Sequence, residues 1–249
     1  MRIGSLFSGI GGLELGLERA LGWSVAWQVE QDAWRRRVLA KHWPDAERFD
    51  DVRTVGAAEL FRVDFVCGGF PCQDVSGAGR GRGIVEGTRS GLWFEFDRIV
   101  GELAPRWVVV ENVASGQARW LPRVRHDLHA RGYRSAAFAI SAADVGAPHL
   151  RRRVFVVAHA DSDALRQRSE RQPTRQPLEV REAEGAKLVD VGAHEWPTGR
   201  GMGSIPGVRG AVDGISRRMD RRRLHGLGNA VVPQCAEAVG RLILEAQSS

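Results

Sequence analysis

The residue best set for chemistry is the lone thiol of Cys72, in the stretch Gly68-Gly69-Phe70-Pro71-Cys72-Gln73. It follows the apolar run Val63-Asp64-Phe65-Val66-Cys67, which reads as a buried strand, and Pro71 with the two glycines marks a tight turn after it. A cysteine at the C-terminal end of a buried strand is where an α/β enzyme places a nucleophile. A second such run, Trp107-Val108-Val109-Val110, delivers Glu111-Asn112-Val113 at its C-terminal end. Two strand ends thus present a Cys and a Glu, the arrangement an α/β sheet uses for chemistry. Arg151 and Arg153, in His149-Leu150-Arg151-Arg152-Arg153, lead into a strand over Val154–Ala158. Alternate side chains of an extended segment share a face, so these two arginines can point the same way; a solvated basic edge is the other reading.

A ligand site is written nearer the N-terminus. Ile3 to Phe7 reads as a short buried strand, Ser8-Gly9-Ile10-Gly11-Gly12 as a glycine turn, and Leu13, Leu17 and Leu21 with Ala20 fall at helical spacing. Strand, glycine turn and helix open a nucleotide-binding α/β unit, because the backbone can approach a ligand closely and the helix N-terminus offers free N–H groups. A purely structural turn reads the same way, since the full G-x-G-x-x-G spacing is absent. Ser24 to Glu30 alternates like a second strand and ends on an acid about 20 residues after the turn, where a carboxylate can accept hydrogen bonds from both ribose hydroxyls of an adenosine ligand. A solvated loop carboxylate is the alternative for Glu30. Asp50-Asp51-Val52 puts a further carboxylate near another strand end.

The elements that must position these groups fit a chain of 249 residues, 43% hydrophobic, which can bury a substantial core in one domain with a small appendage. Helices are predicted over Ala33–His42, Leu92–Leu103, Leu121–Arg131 and Pro233–Gln247, and a strand over Tyr133–Ile140. Gln73 to Gly83 alternates Gly and Arg and cannot pack a core; beside a nucleophile it reads as a lid for an anionic substrate, otherwise as a linker. From Asp161 apolar residues thin out, and the densest basic cluster is Arg217-Arg218-Met219-Asp220-Arg221-Arg222-Arg223. The division expected is 1–160, 161–225 and 226–249, with the last helix docking back on the first domain.

The net charge is +6, and Lys41 and Lys187 are the only lysines. Arg offers forked donors suited to phosphate and guanine edges, which favours a polyanionic partner, although high genomic GC content also inflates Arg. Cys67, Cys72 and Cys235 have no metal-ligand spacing and form no disulfide framework, and no run of about 18 apolar residues occurs. A soluble protein of a reducing cytoplasm, without metal or membrane, is expected.

Phe7-Ser8-Gly9-Ile10-Gly11-Gly12, Gly69-Phe70-Pro71-Cys72-Gln73, Glu111-Asn112-Val113, Arg151-Arg152-Arg153 and Gly228-Asn229-Ala230-Val231-Val232-Pro233-Gln234 occur in this order. Together they resemble the DNA cytosine-5 methyltransferase family, in a compact bacterial or phage-like form of the kind found with restriction-modification systems. His149 stands where the family commonly has Gln. The resemblance implies an α/β, Rossmann-like S-adenosylmethionine-dependent methyltransferase fold. Its sheet would be mixed, mostly parallel and seven-stranded, with helices on both faces and a small irregular target-recognition region at 161–225. It implies S-adenosyl-L-methionine as cofactor, double-stranded DNA as substrate and a monomeric enzyme.

Carried over by position, the resemblance makes Phe7 a contact to the adenine ring and brings the turn of Gly9, Ile10, Gly11 and Gly12 to the methionine part of the cofactor. Glu30 would bind the ribose, and Asp51 and Val52 would meet the adenine. Phe70, Pro71 and Leu92 would line the pocket, which Asn229, Ala230 and Val231 would close. Cys72 would add to carbon 6 of a flipped-out cytosine, Glu111 would hold the base, and Arg151 and Arg153 would flank it. Gln73 and Ser76 would lie near the vacated base, and Arg80 and Arg82 would reach phosphates. Three other readings stay open: a tRNA-directed cytosine-5 methyltransferase, a nucleotide-binding oxidoreductase built on the glycine turn and Glu30, and a non-catalytic DNA-binding relative.

Overall fold

Alternation of apolar residues along short runs, with helical spacing between them, builds a sheet covered on both faces. The computed structural model describes residues 1–71, 84, 90–160, 187–188 and 226–248. Cys72, Gln73, Ser76, Arg80 and Arg82 lie outside the described residues, as does the segment 161–225 apart from Lys187–Leu188.

β1 (Arg2–Leu6) pairs in parallel with β2 (Ser24–Val29) on one side and β4 (Phe65–Gly68) on the other. β3 (Glu47–Phe49) extends the sheet beyond β2, and β5 (Trp107–Val113) extends it beyond β4. β7 (Arg152–Ala160) then runs antiparallel between β5 and β6 (Tyr133–Ser141). The two-residue β8 (Lys187–Leu188) lies parallel against β6, giving the order β3-β2-β1-β4-β5-β7-β6-β8. The mixed, mostly parallel sheet implied by the resemblance is therefore present, with seven strands among the described residues before 161 and the short β8 added at one edge.

Among the described residues it is clothed by α1 (Gly12–Leu21), α2 (Ala33–His42), α3 (Trp93–Leu103), α4 (Leu121–Ala130) and α5 (Pro233–Ser248). No helix among the described residues is long and apolar enough to cross a membrane. Because strand side chains alternate, β4 and β5 feed two separate cores. Val66, Val108 and Val110 pack with Phe96, Ile99 and Val100 of α3 and Val124 and Leu128 of α4. Phe65, Cys67, Trp107 and Val109 pack with Leu13 and Leu17 of α1 and Ala236, Val239 and Ile243 of α5.

Some boundaries differ from those predicted. Phe7, expected to end the first strand, lies beyond it with φ 56°, and Leu92 belongs to a 3₁₀ turn (Ser90–Leu92) ahead of α3. β5 runs two residues past Glu111, so that carboxyl sits inside the strand rather than at its end.

α1 and α5 meet through small residues. A Cβ added at Gly16 would fall 2.1 Å from Pro233 O and 2.6 Å from Ala236 Cβ, and one added at Gly240 would fall 2.5 Å from Ala20 Cβ. Backbones this close leave no volume for a side chain. We therefore expect Gly16→Leu to prise α5 from α1 and to lower unfolding stability by about 1–3 kcal/mol or more, as read from denaturant midpoints.

Candidate active site

The connection from β1 leads to β2 on one side, and the chain later returns to place β4 on the other. At such a switch point the loops leaving adjacent strands part, and a crevice opens at their C-terminal ends. Here it is a cleft of about 850 Å³, lined by Phe7, Gly9, Glu30, Asp51, Val52, Phe70, Pro71, Leu92, Glu111, Arg153 and Asn229, among others.

The left-handed backbone of Phe7 and of Gly9 (φ 61°) turns the chain off β1 and across the strand ends. Glu30, at the end of β2, fixes that turn. Its Oε2 accepts from Gly9 N at 2.8 Å and its Oε1 from Asp32 N at 2.9 Å, while Arg35 Nη1 lies 3.4 Å from Oε1. The residue is 6% exposed, so the solvated-loop reading does not hold. A carboxylate has about four acceptor positions, which leaves capacity for a ligand hydroxyl after these contacts. Asp32 in turn caps α2, accepting from Trp34 N and Arg35 N.

The other glycines of the turn divide. Gly12 lies under Val231, whose carbonyl oxygen would be 2.2 Å from an added Cβ, whereas Gly11 packs against the Trp43 ring and lines neither the cleft nor the cavity beside it. On the far wall, Val52 is buried, and Asp51 is engaged by Arg53, with Nε 2.9 Å from Oδ1 and Nη2 2.7 Å from Oδ2. These bonds hold the Asp51 carboxyl below its ordinary value.

At the reactive end, the turn that precedes Cys72 is anchored from both sides of the sheet. The Phe70 ring sits 5.7 Å from that of Trp93 and 6.0 Å from that of Trp120, a burial worth about 1.5–3 kcal/mol. Asn112, 2% exposed, donates from Nδ2 to Phe70 O at 3.0 Å. On the opposite face, Gly69 leaves room for the neighbouring carboxyl: a Cβ there would lie 2.5 Å from Glu111 Oε2.

Glu111 opposes Phe155 across the β5–β7 ladder, and Arg153 opposes Val113, so the two side chains form a diagonal pair on one face. Arg153 Nε lies 2.9 Å from Glu111 Oε1. Arg151, just before β7, is 5% exposed and acts on Glu111 through its charge. Burial nevertheless outweighs both arginines and raises the Glu111 pKa above its ordinary value. The solvated-edge reading of the arginines fails, since only Arg152 of the three is exposed.

A second, smaller cavity of about 40 Å³ opens beside the cleft and shares Phe7, Gly9, Gly69, Glu111 and Asn229 with it; Ile10, Gly12, Glu14, Ala230 and Val231 also line it. Glu14 is fully buried, with Oε1 accepting from Ser5 Oγ at 2.6 Å and Ser5 Oγ accepting from Ser8 Oγ at 2.9 Å. Burial pushes its pKa from 4.5 up to about 7. Sequence reading missed this cluster and the positioning role of Asn112. One signal was available: Glu14, three and seven residues before Leu17 and Leu21, falls on the apolar face of α1.

The sequence profile of the family described as C-5 cytosine-specific DNA methylase matches residues 1–197. The chain belongs to that family. Among curated relatives, Type II methyltransferase M2.BsuMI of Bacillus subtilis (strain 168) is 36% identical over 174 residues, covering 66% of this chain and 43% of the relative. M1.HphI of Haemophilus parahaemolyticus is 34% identical over 174 residues, covering 64% and 46%. This chain thus spans less than half the length of either. A solved structure of a prophage-encoded E. coli protein, described as a DNA modification methyltransferase, superposes with a TM-score of 0.54 at 25% identity, covering 77% of this chain and 53% of that one. The fold is accordingly the Rossmann-like methyltransferase fold that the resemblance implied.

In this member of the family the buried acid of α1 should make stability depend on pH. Glu14 ionises near 4.5 when unfolded and near 7 when folded, so the native state holds the extra proton between those values. Stability is then greatest below about pH 4.5 with respect to this group and declines by about 3 kcal/mol as pH rises through 7. Glu14→Gln should remove that decline. Urea unfolding of both proteins from pH 5 to 8 measures it.

Proposed function

We propose that this protein transfers a methyl group from S-adenosyl-L-methionine to carbon 5 of a flipped-out cytosine in double-stranded DNA. The observation that carries the reading is Glu111: a buried carboxyl with a raised pKa, ion-paired to Arg153, beside the anchored turn that leads to Cys72. Membership of the C-5 cytosine-specific DNA methylase family, and the likeness to a prophage protein described as a DNA modification methyltransferase, support DNA over tRNA as the substrate.

The cleft suits the cofactor. It is wide enough for a nucleoside, apolar at Phe7, Val52, Phe70 and Leu92, and equipped at Glu30 with spare acceptor capacity for ribose hydroxyls. Asp51 would serve the adenine edge and Asn229, Ala230 and Val231 the opposite side. When bound, S-adenosylmethionine supplies an electrophilic methyl on a sulfonium.

Carbon 5 of cytosine is too weak a nucleophile to take that methyl unaided. Cys72, as thiolate, forms a bond to carbon 6 and makes carbon 5 electron-rich; a thiolate also leaves again, which a hydroxyl does poorly. Glu111 holds a proton toward ring nitrogen 3 and so stabilises the charge that develops as the thiolate adds. Its burial favours the protonated form and raises the pKa above that of an ordinary carboxyl. Arg153 fixes the carboxyl, and Arg151, buried behind it, supports the same site electrostatically. After methylation, loss of the carbon 5 proton lets the carbon–sulfur bond break and returns Cys72.

Reaching a base in a duplex requires extruding it. Gln73 and Ser76 would stand near the vacated position, with Arg80 and Arg82 on phosphates, where contacts provide salt-dependent affinity and little specificity. Residues 161–225 would carry target recognition between the catalytic portion (1–160) and the returning C-terminal part (226–249). The enzyme would act as a monomer in the cytoplasm.

Methyl transfer should be assayed on duplex DNA and tRNA in parallel, with bisulfite sequencing to locate modified cytosines. Modification of DNA at a consensus is expected, and activity on tRNA alone would overturn the DNA reading. Cys72→Ser should abolish transfer. Glu111→Gln should slow it by about 10²- to 10⁴-fold. Wild-type turnover should fall as pH rises through the elevated Glu111 pKa, because the protonated form is the working one.

A further inference from the structure

The reaction as described makes no use of Glu14, yet this carboxyl is placed as a ligand would need it. Only one of its oxygens is engaged. Oε1 accepts from Ser5, whereas Oε2 is buried with no hydrogen-bond partner among the described residues. Leaving a carboxylate oxygen dry and unpartnered costs more than an ordinary hydrogen bond contributes. Glu14 lines the small cavity that adjoins the cleft at Gly9, Gly69 and Asn229. At about 40 Å³ the cavity is too small for a ring and has room for a group the size of one or two waters.

Charge narrows what that group is. Among the described residues no Lys or Arg lines the cavity, and the titratable groups that face Glu14 from the packed elements are Glu30 at the end of β2, Cys67 on β4 and Glu111 on β5. None of these supplies a positive charge. Once ionised, Glu14 therefore finds no countercharge among the described residues, and a bound molecule with a positive group would supply one. S-adenosylmethionine carries two positive centres, and the sulfonium has no N–H or O–H to donate. Its α-ammonium has three hydrogens and is compact enough for the cavity.

We propose that Glu14 Oε2 receives the α-ammonium of the cofactor's methionine end, making Glu14 a cofactor-binding residue. The inference rests on the methyltransferase reading given above and extends it to a specific side chain. The Ser8–Ser5 chain then acts as an orienting relay: it occupies Oε1, leaves Oε2 for the ligand and steadies the anion. Binding also moves a proton. Glu14, with a pKa of about 7 before the ligand arrives, is largely protonated at pH 6; pairing with an ammonium requires the carboxylate, so the proton is released to solvent.

Titration calorimetry without DNA tests this apart from turnover. The ligands are S-adenosylhomocysteine, its desamino analogue, and 5′-methylthioadenosine, which lacks the amino-acid end. Wild type should bind S-adenosylhomocysteine about 10- to 100-fold more tightly than the desamino analogue, the range expected for a charge-assisted hydrogen bond. In Glu14→Gln that advantage should disappear, while affinity for the desamino analogue and for 5′-methylthioadenosine stays within twofold. Repeated at pH 6 in buffers of different ionisation enthalpy, wild type should release close to one proton with S-adenosylhomocysteine and none with the other two.

Equal weakening of all three ligands by Glu14→Gln, or no weakening, would assign Glu14 a structural role and overturn the inference while leaving the cofactor reading intact. Should that variant not fold, absence of proton release by wild type does the same, as would a cavity filled by water alone. If none of the three ligands binds wild type, the cofactor reading itself fails.

Discussion

Taking the carboxyl of Glu111 out of water is the constraint around which the reactive end is built. A buried acid in a strand would ordinarily be avoided, and two arginines do not suffice to restore its usual pKa. The surrounding sequence is arranged to hold it regardless. Gly69 gives up its side chain so that Oε2 fits, Arg153 reaches it diagonally across an antiparallel pair, and Arg151 is buried nearby despite its own desolvation. The antiparallel β7 matters here. It turns the Arg151–Arg153 segment toward the C-terminal end of β5, whereas a parallel strand would carry it to the opposite end.

The same economy explains why the turn before Cys72 is anchored on both faces. Strand alternation sends Glu111 to the α1/α5 side and Asn112 to the α3/α4 side, so adjacent residues of β5 hold the turn from opposite directions. Phe70, between two tryptophans, ties this turn to the larger core. Stability of the domain and placement of the turn before Cys72 are then the same packing problem. A change in the aromatic cluster should be felt in turnover before it is felt as unfolding.

Much of this was legible in the sequence because the signals are local. The strand before Cys72, the α2 helix bounded at Ala33 and His42, and the acid after the second strand each declare themselves within a short window. Other features depend on partners far along the chain. β3 has three residues and exists through pairing with β2, which no periodicity can announce. The exit of Phe7 from β1 follows from a left-handed turn that a bulky residue would not choose by itself, and Glu30 stabilises that turn from another strand. Gly11, read as part of a ligand turn, also has the Trp43 ring packed against it, where a Cβ would not fit. The mutual burial of Ser5, Ser8 and Glu14 is likewise invisible until β1 and α1 are packed together.

That packing links the two ends of the cleft. Glu30 grips Gly9 from the end of β2, and eight residues of chain, Gly9 to Gly16, lead from that grip through Glu14 to the contact with α5. The segment 229–231 closes over Gly12 immediately before α5 begins. A ligand that draws on Glu30 and on the cavity at Glu14 would therefore bridge the glycine turn and its cover together. Parts of the sequence more than 200 residues apart, β1–α1 and 229–248, would share its binding energy. Ligand binding should then stabilise the α1–α5 contact in particular, since that contact is held by close backbone approach with few large side chains to reinforce it.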